Sequence, residues 1–203
     1  MMQTQPTAGE PIHLRLPPSV QMDDEQFFAF CQANAEYRIE RNADGEIAIM
    51  PPTGGETGRR NSDLITDLNI WARREGTGVV FDSSTGFRLP NGSTRSPDAA
   101  WVSRERLASI GPADEDRFLP LAPDFVIELA SPSDDTDALD RKMQEYRANG
   151  VRLGWLLLPS KPQLRVYRPN ALPVSLDTPA EIDGGEVLRG FRLDLRHIWQ
   201  ATL

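Results

Sequence analysis

The chain has a single cysteine, two histidines and only two lysines among its 22 basic residues. Cys31 by itself rules out an intrachain disulfide and fits a reducing compartment. His13 and His197 lie near opposite ends, with no cysteine or second histidine beside either, which leaves zinc without a ligand set. No apolar run approaches the roughly 20 residues needed to cross a bilayer. Met1 to Pro11 lacks the basic and then apolar stretches of a secretory leader, so the cytoplasm is the expected location. Gly-x-Gly-x-x-Gly, P-loop and Gly-x-Ser-x-Gly patterns are missing, and with them any sign of a nucleotide cofactor or of the commonest hydrolase serine. An excess of positive charge is missing too. The net charge is −8, the reverse of a typical nucleic-acid binder. A basic footprint is then confined to Arg59-Arg60, Arg73-Arg74, Arg104 with Arg106, and Arg141-Lys142. Weak non-specific binding is expected.

What is present describes a folded protein. Hydrophobic residues make up 39% of the 203 and charged residues 26%, enough for one domain over 19–203. A Pro-rich, disordered or extended lead-in over 1–18 precedes it. Asp23 or Asp24 can cap a helix to about Ala35, with Phe27, Phe30 and Cys31 at core spacing. Asn-Ala-Asp-Gly between Tyr37–Arg41 and Glu46–Met50 predicts a hairpin. A second helix runs from about Gly58 to Arg74 and stops at Gly76. Strands follow at 79–82, 86–89, around Asp98, and at 125–130, with a short helix at 103–110 and a loop over 111–121. Ser133 or Asp134 caps a helix to Asn149, and strands at 153–158 and 163–168 precede further short strands. This order predicts a mixed α/β (α+β) arrangement, a central sheet flanked by helices.

Two acids sit on apolar runs: Asp98 in Ser-Pro-Asp-Ala-Ala-Trp-Val and Glu128 in Pro-Asp-Phe-Val-Ile-Glu-Leu-Ala-Ser. A buried carboxylate needs a compensating partner. A hard divalent cation is one, and two carboxylates, the Leu129 carbonyl and several waters would satisfy magnesium, with manganese as an alternative. Lys142 lies on the apolar stripe of its helix with Leu139, Met143 and Tyr146, where it must snorkel outward or reach a buried anion. Lysine is a compact charge whose pKa can move, which arginine's cannot. Glu56, in Gly-Gly-Glu-Thr-Gly, is a fourth candidate; it also reads as an acid favoured by a helix N-terminus. Asp124, Asp134, Asp135, Asp137 and Asp140 read as turn, capping and solvent-face acids.

Pro97-Asp98 followed by Glu128 on an apolar strand resembles the PD-(D/E)xK nuclease superfamily. More narrowly, the segments 83–90, 96–102, 123–131 and Lys142-Met143-Gln144-Glu145-Tyr146, with Asn149-Gly150-Val151 leading into Gly154-Trp155-Leu156, resemble the Uma-type family of restriction-endonuclease-like proteins. The likeness covers about residues 20–170. It implies a restriction-endonuclease-like core, a magnesium-dependent site built on Asp98, Glu128 and Lys142, a DNA substrate, and often a homodimer. In one place the chain departs from the pattern. The superfamily lysine falls two residues after the glutamate, where this chain has Ala130, so the lysine's part passes to Lys142 on the following helix.

Two functions are therefore expected to compete. One is a metal-dependent endonuclease that hydrolyses DNA phosphodiesters. The other is a catalytically weak nuclease-fold homodimer that binds or scaffolds. A dimer is expected from the polar-alternating segments 163–168 and 187–193, suited to an exposed edge, and from Leu195, Ile198 and Trp199, which could form an apolar patch.

Overall fold

The structure is a computed structural model that describes residues 11–201 and 203. Its centre is a six-stranded mixed sheet ordered β11-β10-β9-β8-β7-β4. These strands are β4 (Gly78–Asp82), β7 (Ala99–Ser103), β8 (Phe125–Leu129), β9 (Leu153–Leu158), β10 (Gln163–Tyr167) and β11 (Val174–Asp177). Only β8 and β9 run parallel, with α4 (Thr136–Ala148) as their crossover; the other pairs are antiparallel. Phe125 to Leu129 is buried throughout, as a strand covered on both faces must be.

Alternation divides that sheet into two cores. Ala99, Trp101, Phe125, Ile127 and Trp155 pack with Leu64, Leu68 and Trp71 of α2 (Gly55–Glu75). Ala100, Val102, Val126 and Leu156 face the other way, onto Met143 and Tyr146 of α4. Asp98 and Glu128 fall in the register of the second set.

A second sheet, ordered β1-β3-β2-β6-β5, comprises β1 (Ile12–Leu14), β2 (Arg38–Arg41), β3 (Ile47–Met50), β5 (Phe87–Arg88) and β6 (Thr94–Arg95). Its core forms with α1 (Asp24–Ala33) around Phe27, Ile39 and Ile47. Asp23 caps α1 with a complete capping box, its side chain accepting from the Gln26 N–H while the Gln26 side chain accepts from the Asp23 N–H. The remaining elements are two 3-10 turns at Pro18–Val20 and Pro112–Asp114, α3 (Arg104–Leu107), the antiparallel pair β12 (Glu181–Asp183) and β13 (Arg192–Asp194), and α5 (Arg196–Trp199). No described helix is long and apolar enough to cross a membrane.

Several local expectations shift. Residues 1–10 of the expected lead-in lie outside the described residues, but Ile12–Leu14 pairs with β3, and Glu46 holds both His13 and Arg15 beside it. Helix α2 begins at Gly55, which takes Glu56 into its first turn. Helix α4 is capped by Asp135, while Asp134 accepts from the Ser131 N–H. Ser133, Asp134 and Asp135 are all competent acceptors, and composition cannot choose among neighbours. Asp124, read as a turn acid, is buried, accepts from the Ser103 N–H, and pairs with Arg106 and Arg152.

The C-terminal reading is corrected. Leu195 and Ile198 lie in the protein's own core with α2, and the Trp199 indole donates to the Pro179 carbonyl at 2.7 Å. These residues form no free apolar patch. Segment 163–168 is not an edge either, because β11 covers β10, and of 187–193 only Arg192 and Leu193 enter a strand, β13. An apolar tail long enough to fold back satisfies itself on α2.

Candidate active site

Strand β7 begins one residue after Asp98, and its register sets Ala99 opposite Ile127. One step outward lies Asp98 with Glu128, and one further lies Pro97 with Leu129. Proline has no N–H, so the ladder cannot continue. Asp98 takes the place of the missing rung: its Oδ2 accepts from the Leu129 N–H at 2.8 Å. A residue in a strand turns its N–H and C=O to the same side, so the Leu129 carbonyl faces this edge, where Pro97 offers it no donor. Asp98 Oδ1 accepts from Arg38 Nη1 at 3.1 Å.

Glu128 is 2% exposed. Its Oε1 lies 2.9 Å from Lys142 Nζ and accepts from the Tyr146 hydroxyl at 2.8 Å. Lys142 and Tyr146, one turn apart on α4, thus close over the same oxygen. The lysine ammonium also donates to Glu40 Oε1 at 2.9 Å. Glu40 comes from β2 of the second sheet, is 2% exposed, accepts from the Ser96 N–H, and pairs with Arg95 at 3.2 Å. Arg95 reaches on to Glu145 of α4 at 2.6 Å.

Site electrostatics follow from this packing. Burial raises the Glu128 carboxyl to about 7; Lys142 opposes the rise, while Asp98 and Glu40 add to it. Burial also works upward on Glu40, but Lys142 and Arg95 overcome it and hold the carboxyl down to about 2. Lys142 is disfavoured as a cation by burial, yet Glu128 and Glu40 outweigh that and raise it above the ordinary lysine range. It is an ammonium at neutral pH. Tyr146 is pushed well above its usual value by burial and then by Glu128, so it stays a donor. Four acids (Glu40, Asp98, Glu128, Glu145) face three cations (Arg38, Arg95, Lys142). The unmatched negative charge is felt at Glu128.

Such a donor set suits a hard divalent cation. Two carboxylates and a backbone carbonyl are oxygen ligands, and Glu128 has a second carboxylate oxygen beside the Oε1 that meets Lys142 and Tyr146. Among the described residues no three His, Cys, Asp or Glu side chains group as a metal cage. Magnesium does not need one, because it retains water.

Asp98, Glu128 and Lys142, expected together from sequence, are brought together. Ala130 donates its N–H to the Leu157 carbonyl and supplies no functional group. The Glu56 carboxylate is held by Arg59 at 2.7 Å and by Arg60 at 3.4 Å, and accepts from the Leu203 N–H. Arg38 and Glu40 escape a sequence reading. Their one signal is spacing two apart, on the face of β2 opposite the core residue Ile39, and exposed strands show the same alternation.

The Uma2 family model, described as "Putative restriction endonuclease", matches residues 24–196. A crystal structure of "a putative nuclease belonging to DUF820" from Anabaena variabilis superposes with a TM-score of 0.70 at 18% identity, covering 79% of this chain and 89% of that one. At that identity the likeness is one of fold. No curated protein matches the chain.

Proposed function

The chain belongs to the Uma2 family of restriction-endonuclease-like proteins, and on that premise we propose that it is a divalent-metal-dependent endonuclease acting on DNA in the cytoplasm, with one domain over 19–203. The observation that carries this reading is the meeting of Asp98, Glu128 and Lys142 at the broken end of the β7–β8 ladder. Asp98, Glu128 and the Leu129 carbonyl would hold magnesium or manganese. The bound metal supplies a water of lowered pKa and neutralises charge on the phosphate.

The chain's own groups do the rest. Lys142, fixed between Glu40 and Glu128, orients the attacking water and stabilises negative charge growing on the phosphate. It acts as a donor and an electrostatic group, since it holds its proton. Tyr146 and Lys142 fix the Glu128 carboxylate through Oε1. Glu56 keeps the accessory place near the metal that the sequence suggests for it; against that reading, its carboxylate pairs with Arg59 and Arg60 on α2, which packs on the face of the sheet opposite Glu128.

Nicking of supercoiled plasmid with magnesium or manganese tests the activity. Loss on Lys142→Ala is the expected result. Manganese calorimetry tests the site: Asp98→Ala and Glu128→Ala should each abolish binding without unfolding the protein, and unchanged binding in both overturns the assignment. The acidic net charge of −8 favours the second reading, a binding or scaffolding dimer. Absence of nicking at any enzyme concentration would select it. Cutting both strands needs two sites, which a two-fold homodimer supplies. Light scattering at micromolar concentration checks this, and a strictly monomeric mass restricts the protein to nicking.

A further inference from the structure

Arg38 sits at the mouth of the site. Its side chain is 34% exposed, against 15% for Asp98, 13% for Lys142 and 2% each for Glu40 and Glu128. One guanidinium nitrogen, Nη1, is engaged by Asp98 Oδ1, while Nε is buried with no hydrogen-bond partner among the described residues. A buried donor left unpaired costs free energy, so this guanidinium has hydrogen-bonding capacity that its present partner does not use. The carboxylate that Nη1 holds is also the one a cation would take.

We infer that Arg38 has two successive roles: it pairs with Asp98 while the metal site is empty, and with a non-bridging oxygen of the substrate phosphodiester once the site is filled. This rests on the metal-dependent reading above. A cation on the Asp98 carboxylate and a guanidinium 3.1 Å from its Oδ1 repel each other, so loading weakens the Arg38–Asp98 pair. The freed Nη1 end can donate to a phosphate oxygen, and Arg38 is the most exposed of the three cations in the cluster, Arg95 and Lys142 being 12% and 13% exposed. Arg95 and Lys142 are both committed to buried carboxylates.

The two roles make effects of opposite sign. In manganese calorimetry, with no DNA present, Arg38→Gln should bind manganese about two- to fivefold more tightly than wild type, because a partly exposed competing ion pair is gone. In plasmid nicking at saturating manganese, the same variant should lose about tenfold to a hundredfold in kcat, as expected for a lost charge-assisted contact. Arg38→Lys, which keeps the charge without the guanidinium, should restore wild-type manganese affinity and recover part of kcat. Weaker manganese binding by a folded Arg38→Gln would show that Arg38 only supports Asp98 and would overturn the inference. Undiminished nicking would also overturn it. A wild-type protein that binds no manganese fails earlier, at the metal-dependent reading itself.

Discussion

Replacing Lys142 with methionine removes the ammonium that two buried carboxylates share, while keeping most of the side chain's length. In the native protein Nζ stands 2.9 Å from both Glu40 and Glu128. Breaking a buried ion pair by deleting one partner costs about 3–5 kcal/mol. Two features reduce that here. Glu40 retains Arg95 and the Ser96 N–H. Glu128, already raised to about 7 by burial, loses the largest influence pulling it down and takes up a proton. The neutral carboxyl limits the loss, and about 2–3 kcal/mol is expected at pH 8. At pH 5 Glu128 is protonated in both proteins, so only the Glu40 contact differs and the loss shrinks to about 1 kcal/mol. For a chain of this length, Tm falls about 2–4 °C per kcal/mol. Thermal unfolding followed by circular dichroism should therefore show a drop of about 4–12 °C at pH 8 and less than half of that at pH 5. A Lys142→Met protein as stable as wild type at pH 8 would mean that the lysine snorkels to solvent. An equal loss at both pH values would refute the raised Glu128.

Three other tests bear on the same residues. Because its folded carboxyl is raised from 4.5 to about 7, Glu128 contributes stability that is full below about pH 4.5 and lost as pH rises through 7; Glu128→Gln should gain Tm relative to wild type between pH 5 and pH 8 while losing manganese binding in calorimetry. The same proton must leave before a cation binds, so wild-type manganese affinity should rise about 30-fold from pH 5.5 to 8, and an affinity flat over that range contradicts the assignment. Glu40→Gln, which loosens Lys142 without touching a metal ligand, should lower kcat for plasmid nicking about tenfold and leave manganese affinity within about twofold; equal losses in both would assign Glu40 a merely structural part.

Asp98, Glu128 and Lys142 were legible because each sits in a local pattern that has to be explained where it stands. An acid within Phe-Val-Ile-Glu-Leu is costly whatever the fold, and a lysine on an apolar helical stripe needs either solvent or an anion. Helices α1 and α2, the hairpin β2–β3 and strands β8 and β9 were likewise carried by periodicity, turn residues and caps, all of which act over a few residues. Arg38 and Glu40 were not legible. Glu40 meets Lys142 across 102 residues of sequence, and Arg38 meets Asp98 across 60. Alternation in Arg38-Ile39-Glu40-Arg41 shows which side chains share a face but not what the face meets, and a charged face usually meets water. The same limit governed the tail: Leu195 and Ile198 are apolar whether they cover their own α2 or a partner. Burial preference resides in the side chain and so in the sequence, whereas the identity of the surface that does the burying is settled only when distant segments pack together.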